Sequence, residues 1–259
     1  MTPDRVAALC AERDLLLETC HSLTDRQWAT PSRAEGWSVQ DMVAHMGAGC
    51  RAIFTVDALK ILRSNDIEKS NDMLVDQRRR RTPAQVLGEY ERWSRRLIRL
   101  ARVVDAGPLA RIRLPLAELG RFPVNLVLCS AMTFDHYTHL RHDIAPALGL
   151  PPPPSEANTV AVVLEWMLAV LANQLKAAVH PWLEAPLRIN LTGPGGGSWT
   201  VQPDGAVTTQ PGAAAAEITA SALEFPEWST RRVDWRQRDV TVSGDTGYGE
   251  RFLDAVNIV

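Results

Sequence analysis

The sequence predicts an α+β protein of two domains, a helical bundle over residues 1–150 and a small α+β domain over 155–259. Three observations carry that reading. Pro151-Pro152-Pro153-Pro154 can neither continue a helix nor pair in a sheet, and favours a stiff polyproline II spacer. Before it, apolar residues recur at three- and four-residue steps; after it come short β-like runs separated by glycine and proline turns.

Taken in order, Val6, Leu9, Cys10, Leu16, Leu17, Cys20 and Leu23 mark a first amphipathic helix. Ser38-x-x-Asp41 is a capping-box start for a second, and Thr82-Pro83 opens a third, with Val86, Tyr90, Trp93, Leu97 and Leu100 on its apolar face. A fourth helix follows Pro123. Beyond the prolines, residues 158–179 read as one long apolar helix. Glu165, Asn173 and Gln174 interrupt it, so a buried helix is expected and not a bilayer span, which needs roughly 20 apolar residues. Strands are expected at 187–191, 198–201, 206–209 and 239–242, with helical pieces near 221–228 and 250–256.

With 46% hydrophobic residues in 259, a sizeable core can form. The balance of 28 Lys+Arg against 30 Asp+Glu, a net charge of −2, gives no electrostatic case for a nucleic-acid partner. Cys10, Cys20, Cys50 and Cys129 form neither C-x-x-C pairs nor a dense framework, and read as reduced thiols. The first residues lack a basic and then apolar leader, so a cytoplasmic location is expected, with no membrane partner and a monomer or homodimer as the assembly. The run Arg78-Arg79-Arg80-Arg81 reads as a solvated charge run in a loop, and Gly193-Pro194-Gly195-Gly196-Gly197 as a mobile hairpin turn.

The informative helix is the fourth. Val124, Leu128, Ala131 and Met132 define an inward stripe, and three- and four-residue steps carry it onto Asp135, His139 and His142, within an arc of about 60° on an ideal helix. A carboxylate beside imidazoles on a core face is costly unless a hydrogen-bond network or a metal satisfies it. On the second helix, His45 sits inside the stripe of Met42, Met46, Gly49 and Ile53. Two histidines and a carboxylate from facing helices, with a fourth position open, are the usual donors of catalytic zinc. His45, Asp135 and His139 are therefore the expected metal ligands. His142 is either a further ligand or a group facing the substrate. His136, about 100° round from Asp135, is expected with His21 and His180 at surface or capping positions.

These residues carry a resemblance. Glu35-Gly36-Trp37-Ser38-Val39-Gln40-Asp41-Met42-Val43-Ala44-His45, together with Asp135-x-x-x-His139, is similar to the mycothiol-dependent maleylpyruvate isomerase family, part of the DinB-like four-helix metalloenzymes. Pro203-Asp204-Gly205, the stretch from Ala222-Leu223-Glu224-Phe225 to Arg232, and Val242-Ser243-Gly244-Asp245 resemble that family's sterol-carrier-like C-terminal domain. The resemblance implies that His45, Asp135 and His139 bind Zn2+ or another divalent metal. It also implies that mycothiol is the thiol cosubstrate, and that a C-terminal arginine, Arg231 or Arg232, approaches the site. This chain has Asp135 where the family commonly has Glu, and His142 where it commonly has Asp, with Asp143 one place later.

Zinc with two nitrogens, one oxygen and an open position either activates water or captures a thiol as thiolate. No cysteine of the chain is spaced to reach it: Cys50 lies about 140° round the helix from His45. The expected activity is thiolate addition to a small electrophile, a carboxylated unsaturated compound, giving an isomerase or an S-transferase. His142, Arg231 and Arg232 are the expected catalytic groups, and Arg141 and Asp143 the cofactor-binding positions. Two alternatives are a non-catalytic metal- or apolar-ligand-binding protein, and a metal-dependent hydrolase with His142 or Asp143 as base.

Overall fold

The computed structural model describes residues 2–64, 66–178 and 180–258. The chain divides into two compact units, Thr2–Pro154 and Ser155–Val259.

The first unit is helical. Asp4 caps α1 (Arg5–His21) by accepting from the Ala7 amide, and Thr24 and Gln27 form a reciprocal capping box on the short α2 (Asp25–Trp28). The Ser38/Asp41 box forms at the head of α3 (Val39–Ala52), and Arg79 adds an ion pair to Asp41 at 3.1 Å. Two helices that periodicity does not announce follow, α4 (Asp57–Arg63) and α5 (Ile67–Asp76), the latter capped by Asp66 and seated through Ser70, Leu74 and Val75. Thr82, Gln85 and Pro83 start α6 (Pro83–Asp105). A hairpin of β1 (Arg113–Pro115) and β2 (Arg121–Pro123) leads into the last long helix, which is not uniform. A π-helical turn (Leu126–Ala131) precedes α7 (Met132–Thr138), and a second π turn (His139–Ile144) joins it to α8 (Ala145–Ala147).

Leu9, Leu16, Met42, Met46, Tyr90, Leu97 and Leu140 belong to the core between α1, α3, α6 and this helix. Gly47 lets α3 and α6 come close, because a Cβ there would stand 3.3 Å from the backbone of Tyr90. The arginine run departs from expectation. Arg78 is 2% exposed and binds Glu89 through Nε at 2.7 Å and Nη2 at 3.1 Å, while Arg81 meets the same carboxylate at 2.5 Å. A charge that far from water needs such pairing.

The second unit begins with α9 (Ala157–Ala177), long and apolar enough to cross a membrane by length and composition, with Val160, Val163, Met167 and Leu171 among its buried residues. The sheet runs β5 (Val207–Thr208), β4 (Gly197–Val201), β3 (Leu187–Thr192), β6 (Ala216–Ser221), β7 (Thr241–Gly244). Its pairs are antiparallel except β3 with β6. The strand β6 stands beside β3 in the middle of the sheet and is absent from the sequence expectation. Helix α10 (Phe225–Ser229) follows β6, and α11 (Thr246–Ala255) packs on β6 and β7. The glycine-rich hairpin between β3 and β4 is seated on α9: Gly195 adopts φ +72°, and a Cβ there would fall 2.4 Å from the Ala157 carbonyl.

Candidate metal centre

The capping box that starts α3 fixes its phase, and the seventh residue, His45, enters the bundle at 8% exposure. Asp135 comes from the middle of α7, and His139 from the first position of the π turn after it. His45 Nε2 lies 2.9 Å and His139 Nε2 3.3 Å from the same oxygen, Oδ1 of Asp135. One ligand atom from each of the three falls within 4.8 Å of the other two. Around zinc, with bonds of about 2.0–2.1 Å, tetrahedral ligand atoms stand about 3.4 Å apart, so two histidines and a carboxylate in this arrangement fit a metal. The side chains of His45, His139 and Asp135 are 10%, 16% and 24% exposed, which leaves the cluster an approach from solvent.

Burial raises the Asp135 carboxyl, but the facing imidazoles of His45 and His139 reverse that and hold it well below the usual carboxylate range. Burial alone would lower His139; the hydrogen bond and charge of Asp135, then those of Asp143, bring it instead to about 9. Without a metal, His139 is thus an imidazolium held between two carboxylates. Asp143, 2% exposed, takes Nδ1 of His139 through Oδ2 at 2.7 Å, which turns Nε2 toward Asp135. On the other flank the Trp37 ring lies 5.1 Å from that of His45, and its indole N–H donates to Asp72 at 3.0 Å.

The remaining expected residues are placed as follows. His142 does not join the three converging groups; its ring stands 6.3 Å from that of Tyr137. Arg141 is 4% exposed, donates twice to Glu12 at 2.6 and 3.0 Å and once to the Pro154 carbonyl at 2.5 Å, and covers the Tyr137 ring at 4.0 Å. In the second unit, Arg231 holds the carbonyls of Val256 and Asp254 and carries a left-handed φ of +57°. Arg232 is exposed and donates to Thr230 at 2.9 Å.

His136 is not at the surface. It is 1% exposed, with Nδ1 2.6 Å from the Met132 carbonyl and its ring 5.4 Å from that of Tyr90, and burial pushes its imidazole pKa down. Asp135 and His136 both lie in the α-helical stretch α7, so the 100° step between them holds; His136 is buried because its own side of the helix is also covered, by Tyr90 of α6. Cys20, Cys50 and Cys129 are buried, so none presents an accessible thiol; burial pushes Cys20 up to about 12 and Cys50 higher still, where the Asp135 charge adds to it.

The profile of the mycothiol maleylpyruvate isomerase N-terminal domain matches residues 9–144, more than half of the chain. The chain belongs to the mycothiol maleylpyruvate isomerase family. Crystal structures of a mycothiol-dependent maleylpyruvate isomerase, and of a histidine-to-alanine mutant of it, superpose with a TM-score of 0.57 at 13% identity, over 92% of this chain and 91% of theirs. That likeness shows a shared fold across both units. A sterol carrier protein 2-like 2 from Aedes aegypti matches 36% of this chain and 95% of its own, at 14% identity and a TM-score of 0.32. No curated protein matches in sequence.

Proposed function

We propose that the chain is a cytoplasmic, mycothiol-dependent enzyme, an isomerase or thiol S-transferase. Its centre is a divalent metal, zinc by the donor set, and its substrate a small unsaturated, carboxylated electrophile. The convergence of two imidazole Nε2 atoms on one oxygen of Asp135, in a member of this family, carries the reading. Held by His45, Asp135 and His139, the metal supplies Lewis acidity that brings a thiol's pKa down from its free value of ~8.5.

The chain's own residues divide the remaining work. Asp143 keeps the His139 Nδ1 proton, so that Nε2 offers its lone pair to the centre. Trp37, pinned by Asp72, walls the flank beside His45 against water. His142 is assigned the proton that moves to the substrate as the thiol adds across its double bond and returns as the thiol leaves. With a cis-enoyl diacid, turning about the intervening single bond gives the trans isomer; with an electrophile that retains the sulfur, the adduct is the product. Arg231 and Arg141 are assigned support, since backbone carbonyls hold the first and Glu12 holds the second.

Calorimetric titration of mycothiol into chelator-stripped protein, with and without added zinc, tests the reading. Binding should return with zinc and be abolished in His45→Ala or His139→Ala. Full binding by either variant sinks it.

A further inference from the structure

The net charge of −2 conceals an uneven distribution. Eight of the 28 Lys+Arg fall between residues 92 and 121, where Asp105 and Glu118 are the only acidic residues, so that stretch carries +6. Five of the eight, Arg92, Arg95, Arg96, Arg99 and Arg102, recur at three- and four-residue steps on α6 and are exposed. On an ideal helix they share an arc of about 120°, and Val103, 72% exposed, falls inside it. The helix's own acids are engaged elsewhere: Glu89 holds Arg78 and Arg81, Glu91 meets His21 at 3.1 Å, and Asp105 meets Arg5 at 3.2 Å. Among the described residues no carboxylate pairs with any of the five, nor with Arg111 or Arg113 just beyond. Like charges at these spacings repel and oppose the helix that carries them, and an anionic surface would relieve that repulsion.

The apolar content of the same stretch decides which anionic surface fits. Leu109 and Ile112, 55% and 50% exposed, follow Val103 closely in sequence, and the turn Pro108–Arg111 packs on α6. Aliphatic side chains set among arginines add nothing to phosphate contacts along a nucleic acid, but they enter the headgroup region of a bilayer. Bases would need exposed rings to stack on, and the aromatic residues of α6 are withdrawn. Tyr90 is buried, and Trp93 is half-buried with the Arg96 guanidinium 4.5 Å over its ring.

We propose that the outward stripe of α6 is a docking surface for an anionic phospholipid bilayer, with the arginines on headgroup phosphates and Val103 between them entering the interface. Binding is peripheral and reversible, set by charge first and by a small apolar contact second. It is independent of the metal reading above.

Sedimentation of the full-length protein with vesicles tests it. Phosphatidylcholine vesicles containing about one-third phosphatidylglycerol should capture the protein at about 0.1 M salt and release it at about 0.5 M, and phosphatidylcholine alone should not capture it. Each basic residue near such a surface strengthens binding about fivefold, so Arg95→Gln with Arg99→Gln should weaken capture about 25-fold. Val103→Ser should weaken it about threefold to tenfold. Arg26→Gln with Arg80→Gln removes the same charge from exposed positions outside α6, and should leave capture within about twofold of wild type. If the Arg95 and Arg99 variant does not fold, Arg92→Gln with Arg102→Gln carries the test. No capture by the anionic vesicles, equal loss in the two double variants, or wild-type capture by Val103→Ser overturns the proposal. Tighter binding to polyuridylate than to the vesicles, lost in the Arg95 and Arg99 variant, also overturns it and assigns the stripe to nucleic acid.

Discussion

Asp143 accepts the Nδ1 proton of His139 at 2.7 Å across a π turn, from a position 2% exposed. A carboxylate there fixes the ring's tautomer and orientation and raises its basicity toward a metal. Asp143→Asn should leave the helix intact and lower zinc affinity about 10–100-fold, measured by chelator competition. Unchanged affinity would remove Asp143 from the site.

Protons and metal compete for His139. Its pKa rises from 6.5 to about 9 in the stripped protein, so at neutral pH it is protonated and metal uptake must expel that proton. Zinc affinity should therefore climb with pH up to about 9 and then level, and calorimetry in buffers of different ionisation enthalpy should count the proton released. The stripped protein follows the opposite sign: the raised pKa contributes stability that is full below 6.5 and lost as pH rises through about 9. A flat affinity profile from pH 6 to 9 would contradict this.

Thiol chemistry should be confined to one position. Cys10 is partly exposed and the other three are buried, with Cys20 pushed up to about 12. A disulfide reagent at pH 7.5 should modify about one thiol per native chain and all of them once it is unfolded. Rapid modification of Cys50 would contradict both its burial and the assignment of the reacting thiol to a cosubstrate.

Glu12 and Arg141 form a bidentate pair inside the bundle, with side chains 1% and 3% exposed. Glu12→Ala should destabilise the protein by about 3–5 kcal/mol, since it leaves a buried guanidinium without its counter-charge. The double replacement Glu12→Leu with Arg141→Met should recover most of that loss. Urea midpoints for the single and double variants decide it.

The cluster of His45, Asp135 and His139 was legible because burial is periodic: the three interrupt apolar stripes where a polar side chain needs a reason. The burial of His136 was not, since it comes from a neighbouring helix, through Tyr90, that covers a second side of α7, and the periodicity of one helix does not show its neighbours. Arg78 looked solvated within four consecutive arginines, and only folding brings Glu89 to it. The strand β6 does alternate, with Ala216, Ile218 and Ala220 buried between Glu217, Thr219 and Ser221. Two of its three inward residues are alanines, too small to mark a β pattern, and an alanine run precedes them. The junction prolines were plain for the opposite reason, because their effect is written in the backbone itself.

Arg141 occupies the same π turn as His139 and Asp143, and one of its N–H groups ends on the carbonyl of Pro154, the last of the four prolines. The segment that closes the first unit is thereby leashed to the turn that carries His139 and Asp143. Replacing Arg141 would therefore cut two ties at once, the one to Pro154 and the one to Glu12.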